Sequence, residues 1–166
     1  MQTRYCDDSY FEIGIDEAGR GPMFGRVYAA AVILPKESDF KHSDMKDSKK
    51  FHSDKKIHDV AKYIKDNSVS WAVGYATEDE IDTHNIRVAT HMAMHRAIKE
   101  VVDKLSLIYN NTHLLVDGND FTPYMFYDNE CLMPARNTTI EQGDNKFTCI
   151  AAASILAKVS RDDYIR

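Results

Sequence analysis

A chain of 166 residues makes one ordinary domain with room for a sizeable core. Hydrophobic residues at 43% and charged residues at 28% lead one to expect a soluble globular protein, and no apolar run reaches bilayer-spanning length, which excludes a transmembrane helix. The net charge of -5 argues mildly against a nucleic-acid binder, yet Lys41, Lys46, Lys49, Lys50, Lys55 and Lys56 crowd one segment, and a carboxylate-rich metal site lowers the total while serving a polyanionic substrate. Met1 to Tyr10 is polar, carries Asp7 and Asp8, and does not read as a signal peptide. Cys6, Cys131 and Cys149 are odd in number and lack metal-ligand spacing. They read as free thiols of an intracellular, reducing compartment.

In chain order, Phe11 to Ile15 predicts a short strand that ends on Asp16 and Glu17. Gly19, Gly21, Pro22 and Gly25 mark a loop. Val27 to Leu34 is continuously apolar and suits a buried second strand. Residues 36 to 52 read as a polar, Lys-rich loop, and Ser53 as the N-cap of a helix to about Asp66. Val69 to Ala76 predicts a third strand, and Thr77 with Glu80 a capping box. A longer helix from about Ile86 to Leu105 carries a stripe of Ala89, Met92, Ala93, Ala97, Ile98 and Val101. Leu114 to Val116 is a buried strand delivering Asp117. Residues 119 to 136 read as irregular and aromatic, and Thr138 to Ile140 as a weak last strand. Asn145 to about Ile165 predicts a helix whose small first half (Ala151, Ala152, Ala153, Ile155, Leu156) buries closely against the sheet. Hairpin-like early strands beside later helix-linked strands imply an α/β fold with a mixed sheet, in one domain over residues 1–166.

Asp16, Glu17, Asp117 and Asp144 stand where structure places few acids, at strand ends and before a helix. Brought together, they repel strongly at low dielectric, and divalent cations remove that cost. Hard oxygen donors suit Mg²⁺ or Mn²⁺, and no His or Cys cluster argues for zinc. The plainer alternative stays open: an Asp after a strand is often a turn residue, and Asp144 also fits a helix N-cap. Gly19-Arg20-Gly21 alone is a common turn, and the lysine segment a common solvated loop. His84, His91 and His95 lack a metalloprotease acid between them and read as surface histidines.

The string Gly14-Ile15-Asp16-Glu17-Ala18-Gly19-Arg20-Gly21-Pro22 resembles the first motif of the type 2 ribonucleases H. Asp47-Ser48-Lys49-Lys50 is similar to the second. Glu80-Ile81-Asp82 with Asn85-Ile86, then Ala93-Met94 with Arg96-Ala97, resembles the next stretch. Val116-Asp117-Gly118 is similar to the third acidic motif. Gly143-Asp144 with Ile150 to Val159 and Arg161-Asp162 is similar to the fourth. The matches are collinear from about residue 11 to 165. Arg26 and Met23-Phe24 depart from the family's Gly-Pro-rich tail of the first motif. The family's C-terminal segment, with a Tyr that stacks on the junction nucleotide, has no match; Tyr164 lies too early.

The resemblance implies a ribonuclease H-like mixed sheet flanked by helices, with Asp16, Glu17, Asp117 and Asp144 as catalytic metal ligands. It implies that Gly19, Arg20 and Gly21 read a ribonucleotide through its 2′-hydroxyl, and that Lys49 touches a phosphate. The expected partner is an RNA–DNA hybrid or a ribonucleotide-containing DNA duplex, cut by a monomer that engages no membrane. Two Mg²⁺ or Mn²⁺ ions, roughly 3.5–4 Å apart as in two-metal nucleases, would bridge Asp16 and the scissile phosphate. Such a cut leaves a 5′-phosphate and a 3′-hydroxyl. Two rivals stand beside this reading: a DNA-cutting nuclease of the same fold, and a non-catalytic nucleic-acid-binding module. For the missing stacking Tyr, either the chain is a shortened piece or another aromatic takes its place. Phe121, Tyr124, Phe126 and Tyr127 are the candidates, although packing suits most of them better.

Overall fold

The computed structural model describes residues 1–6, 8–19, 25–36, 40–46 and 54–165. Strands β1 (Phe11–Ala18), β2 (Val27–Ile33), β3 (Ser70–Ala76), β4 (Thr112–Asp117) and β7 (Arg136–Ile140) form one sheet in the order β3-β2-β1-β4-β7. β2 is antiparallel to β1 and β3, whereas β4 runs parallel to β1 and β7 parallel to β4. The early antiparallel strands and the later parallel ones, of which β4 is reached through helices and β7 directly from the segment after β4, make the mixed α/β sheet that the element order implies.

Helices cover both faces. On one, Ile13, Ile15, Ala29, Ala31, Leu114 and Val116 meet Ala89, Ala93, Ala97, Ile98 and Val101 of α4 (Ile86–Leu105). On the other, Ala30, Val32 and Leu115 meet Ile150 to Ala153, Leu156 and Val159 of α5 (Thr148–Ile165), with α2 (Asp54–Asn67) alongside. Alternation along the strand decides which residue faces which helix. The small first half of α5 is buried as its composition predicts. It lies so near the sheet that a Cβ on Gly14 would overlap the Cys149 carbonyl group and approach the Ile150 amide nitrogen within 2.6 Å.

Several boundaries differ from the sequence reading. β1 runs one residue past the acids that end it in the sequence reading: Asp16 pairs with Ala30, Glu17 with Ala29 and Ala18 with Tyr28. The antiparallel ladder of β2 carries β1 on past the point where its apolar alternation ends. The lysine-rich segment contains a short helix, α1 (Ser43–Lys46), anchored by fully buried Met45 and by a 2.9 Å hydrogen bond between His42 Nδ1 and Thr148 Oγ1. Ser53 lies outside the described residues.

Thr77 and Glu80 form the predicted capping box at α3 (Glu78–His84). Residues 119 to 136 are not wholly irregular, because β5 (Met125–Asp128) and β6 (Cys131–Pro134) pair as a hairpin. α5 starts at Thr148 rather than Asn145; Gly143–Asn145 is a separate 3₁₀ turn whose Gly143 carbonyl accepts from the amides of Lys146 and Phe147. His91 is buried rather than on the surface, with its Nδ1 2.8 Å from Thr122 Oγ1. His95 Nε2 sits 2.7 Å from the Thr122 carbonyl, so the segment after β4 folds over α4 and covers these rings. Cys6, Cys131 and Cys149 are free thiols, and burial pushes the Cys149 thiol up to about 12. Among the described residues, no helix is long and apolar enough to cross a membrane.

Candidate active site

Two neighbouring parallel strands bring the acids together. The register that pairs Ile15 with Val116 sets Asp16 and Asp117 one step further along β1 and β4. By alternation both belong to the face covered by α5, because Ile15 and Val116 face α4. Glu17 follows Asp16 directly. Asp16, Glu17 and Asp117 each offer a carboxylate oxygen, and these oxygens all lie within 4.8 Å of one another. Sequence spacing alone hides this: Asp117 comes a hundred residues later, and parallel pairing closes the gap.

The backbone orients two of the three. The amide of Glu17 donates to Asp16 Oδ1 at 2.8 Å, and the amide of Gly143 donates to Asp117 Oδ1 at 2.7 Å. Asp16 is only 5% exposed. Burial first, then the negative charges of Asp117 and Glu17, push its carboxyl up to about 10. Among the described residues no Lys, Arg or His forms an ion pair with any of the three.

This donor set fits a divalent metal. It is all carboxylate oxygen, it converges on one point, and among the described residues its buried member has no ion-pair partner to offset its charge. Hard ions such as Mg²⁺ and Mn²⁺ prefer such ligands, and nothing in the group suits zinc. A cation there reverses the repulsion that now favours the protonated form of Asp16.

Asp144 is not one of the converging three. It occupies the Gly143–Asn145 turn, one residue after the glycine whose amide holds Asp117. That turn follows β7, which pairs with β4 up to Asp117 opposite Ile140. Sequence reading singled out the acid of the Gly143-Asp144 pair and passed over the glycine's amide, which carries no side-chain signal.

The family model described as Ribonuclease HII matches residues 13–166. The chain belongs to the ribonuclease HII family. It is 46% identical over 165 residues to the curated ribonuclease HII of Parabacteroides distasonis, covering 99% of this chain and 74% of that protein. The ribonuclease HII of Bacteroides thetaiotaomicron is 45% identical over the same coverage. The crystal structure of ribonuclease H2 from Pyrococcus horikoshii matches with a TM-score of 0.71 at 26% identity, over 93% of this chain and 73% of that one. Membership of the ribonuclease HII family makes this protein a hydrolase, a ribonuclease H.

Of the nucleic-acid contacts that the sequence resemblance implies, Gly19 is described. It follows β1 directly and has φ +99, a conformation that suits glycine. Arg20, Gly21 and Lys49 lie outside the described residues. Of the candidate stacking aromatics, Phe121 and Tyr124 pack against His95, and Phe126 is buried beside Tyr124. Tyr127 is 73% exposed, on the β5–β6 hairpin.

Proposed function

We propose that this chain cuts the RNA strand of RNA–DNA hybrids, and cuts at single ribonucleotides embedded in DNA, by metal-dependent phosphodiester hydrolysis that leaves 5′-phosphate and 3′-hydroxyl ends. The observation that carries the reading is the convergence of Asp16, Glu17 and Asp117 within 4.8 Å, on the strands of a chain in this family. In this reading Asp16, Glu17 and Asp117 hold divalent cations, Mg²⁺ or Mn²⁺, and Asp144 completes the set from its turn. Such cations supply a water of lowered pKa and offset the charge that builds on the phosphate oxygens. The amides of Glu17 and Gly143 keep two of the carboxylates aimed, so the ligand set is arranged before the cation arrives.

The same reading gives Gly19, Arg20 and Gly21 the 2′-hydroxyl, the group that separates RNA from DNA at a site. A glycine backbone admits the sugar closely, which a side chain would prevent. Lys49 contacts a phosphate and contributes affinity without sequence information. Residues 1–166 act as a single catalytic domain, as a monomer, inside the cell where DNA is replicated and repaired.

The test is cleavage of three duplexes with Mg²⁺ or Mn²⁺: an RNA–DNA hybrid, a DNA duplex with one ribonucleotide, and an all-DNA duplex. Cutting of the first two and not the third is expected. Cutting of all three points instead to a DNA nuclease of this fold. Binding without cutting points to a non-catalytic module.

A further inference from the structure

Arg26 is one of the residues at which the sequence departs from the family's usual first motif, and the structure gives it a specific seat. Its guanidinium lies over two tyrosine rings, 4.4 Å from the centre of Tyr75 and 4.3 Å from that of Tyr164. Tyr28 completes the cluster, its ring centre 5.7 Å from Tyr75 and 6.0 Å from Tyr164. The three tyrosines come from different elements: Tyr28 from β2, Tyr75 from the end of β3 and Tyr164 from the end of α5. One guanidinium therefore fastens β3 and the last turn of α5 to the start of β2.

The clasp bears directly on Gly19. A Cβ there would lie 2.7 Å from the Arg26 carbonyl oxygen, and 3.4 Å and 3.6 Å from Cδ and Nε of Arg161. Gly19 is thus pressed between the backbone of the clasping residue and a side chain of the helix that it clasps. Arg161 and Tyr164 share one face of α5, three residues apart. Moving the end of α5 moves both walls of the Gly19 seat, two residues beyond Glu17.

We propose that Arg26 is a positioning residue: by stacking between Tyr75 and Tyr164 it fixes the Gly19 backbone in the place where it meets the ribonucleotide. The inference rests on the ribonucleotide-reading role given to Gly19 above. Arg26 acts through geometry, so its planar stacking matters and its charge alone does not. Lysine supplies the charge but not the plane.

The experiment measures kinetics on the duplex with one ribonucleotide, affinity for the all-DNA duplex, and Mn²⁺ affinity, for Arg26→Ala, Arg26→Lys, Tyr164→Leu and the Arg26→Ala/Tyr164→Leu pair. Each single variant is expected to raise KM for the ribonucleotide duplex about tenfold, the scale of a lost cation–π stack. Affinity for all-DNA duplex and for Mn²⁺ should stay unchanged, and the double variant should match the singles. Rescue by Arg26→Lys, or an equal loss on all-DNA duplex, makes Arg26 a phosphate contact and overturns the proposal; so does an unchanged KM. If Arg26→Ala does not fold by circular dichroism, Tyr164→Leu decides by the same criteria. Failure of the unsubstituted protein to cut the ribonucleotide duplex sinks the functional reading, and this inference with it. Normal cutting by both the protein and its variants sinks this inference alone.

Discussion

The amide of Gly143 donates to Oδ1 of Asp117 across 2.7 Å, tying the turn after β7 to the acid at the end of β4. A Cβ on Gly143 would lie 2.7 Å from Cδ1 of Ile150 and 3.4 Å from the same Asp117 oxygen. Gly143→Ala therefore pushes the turn away from α5 and loosens the bond that aims Asp117. A substitution of this kind behind a metal ligand weakens metal affinity or activity by about 10- to 100-fold. Mn²⁺ titration beside turnover on a hybrid duplex checks it, and unchanged values for both would show that the amide does not position the ligand.

Asp16 links the site to stability. Its carboxyl, raised to about 10 by burial and by Asp117 and Glu17, ionises near 3.8 when unfolded. Between those values the metal-free folded state holds the extra proton, so its stability is full below about 3.8 and falls as pH rises toward about 10. Asp16→Asn removes this slope. In chelator at about pH 8 it should raise Tm by about 5 °C, while abolishing turnover and the stabilisation that Mg²⁺ gives the unsubstituted protein. Thermal unfolding with and without Mg²⁺ reads both effects. A lower Tm in chelator contradicts the charge argument, and retained turnover contradicts the ligand role.

Most of this architecture was legible in the chain, for identifiable reasons. α4 is read correctly from Ile86 to Leu105 because its stripe repeats at helical spacing over many turns. The capping box at Thr77 is local chemistry and needs no tertiary contact. What sequence missed depends on partners far along the chain. β1 runs on past Glu17 to Ala18 because β2 continues to pair with it, and α1 exists because Met45 and Phe40 find a core beside α5. The β5–β6 hairpin turns at Asn129 and Glu130, both with positive φ, and the Asp-Asn-Glu run gives little warning of it. At the site, motif spacing marks the acids, but only parallel pairing brings Asp117 to Asp16. The role of the Gly143 amide is invisible until the turn is folded.

On the proposed reading, substrate recognition would divide between Arg20 and Lys49. Arg20→Ala should weaken discrimination for the ribonucleotide more than general affinity. Lys49→Ala should weaken binding to every duplex alike and lower the salt slope by about 1, as for one lost phosphate contact. Affinities for RNA-containing and all-DNA duplexes across a salt series separate the two. Identical behaviour of both variants on both duplexes contradicts the division.

Asp144 lies on the turn beside the converging acids rather than among them. On the proposed reading, its carboxylate would complete the ligands around a cation already held by the other three acids. Asp16, Glu17 and Asp117 already bring three oxygens within 4.8 Å, enough to seat one hard cation. Asp144→Asn keeps the size of the side chain and removes its charge. Affinity for the first Mn²⁺ should then stay within about threefold of the unsubstituted protein, since Asp144 offers no oxygen to the converging group that seats that ion. Turnover should fall by at least about 100-fold, as when a group acting directly in the reaction is lost. Asp117→Asn should lose both first-ion affinity and turnover. Calorimetric Mn²⁺ titration beside single-turnover cleavage of a hybrid duplex compares the two variants. Asp144→Asn with normal turnover would leave the residue only its turn-forming role. Asp144→Asn with first-ion affinity as poor as that of Asp117→Asn would instead place its carboxylate in the first cation's own ligand set.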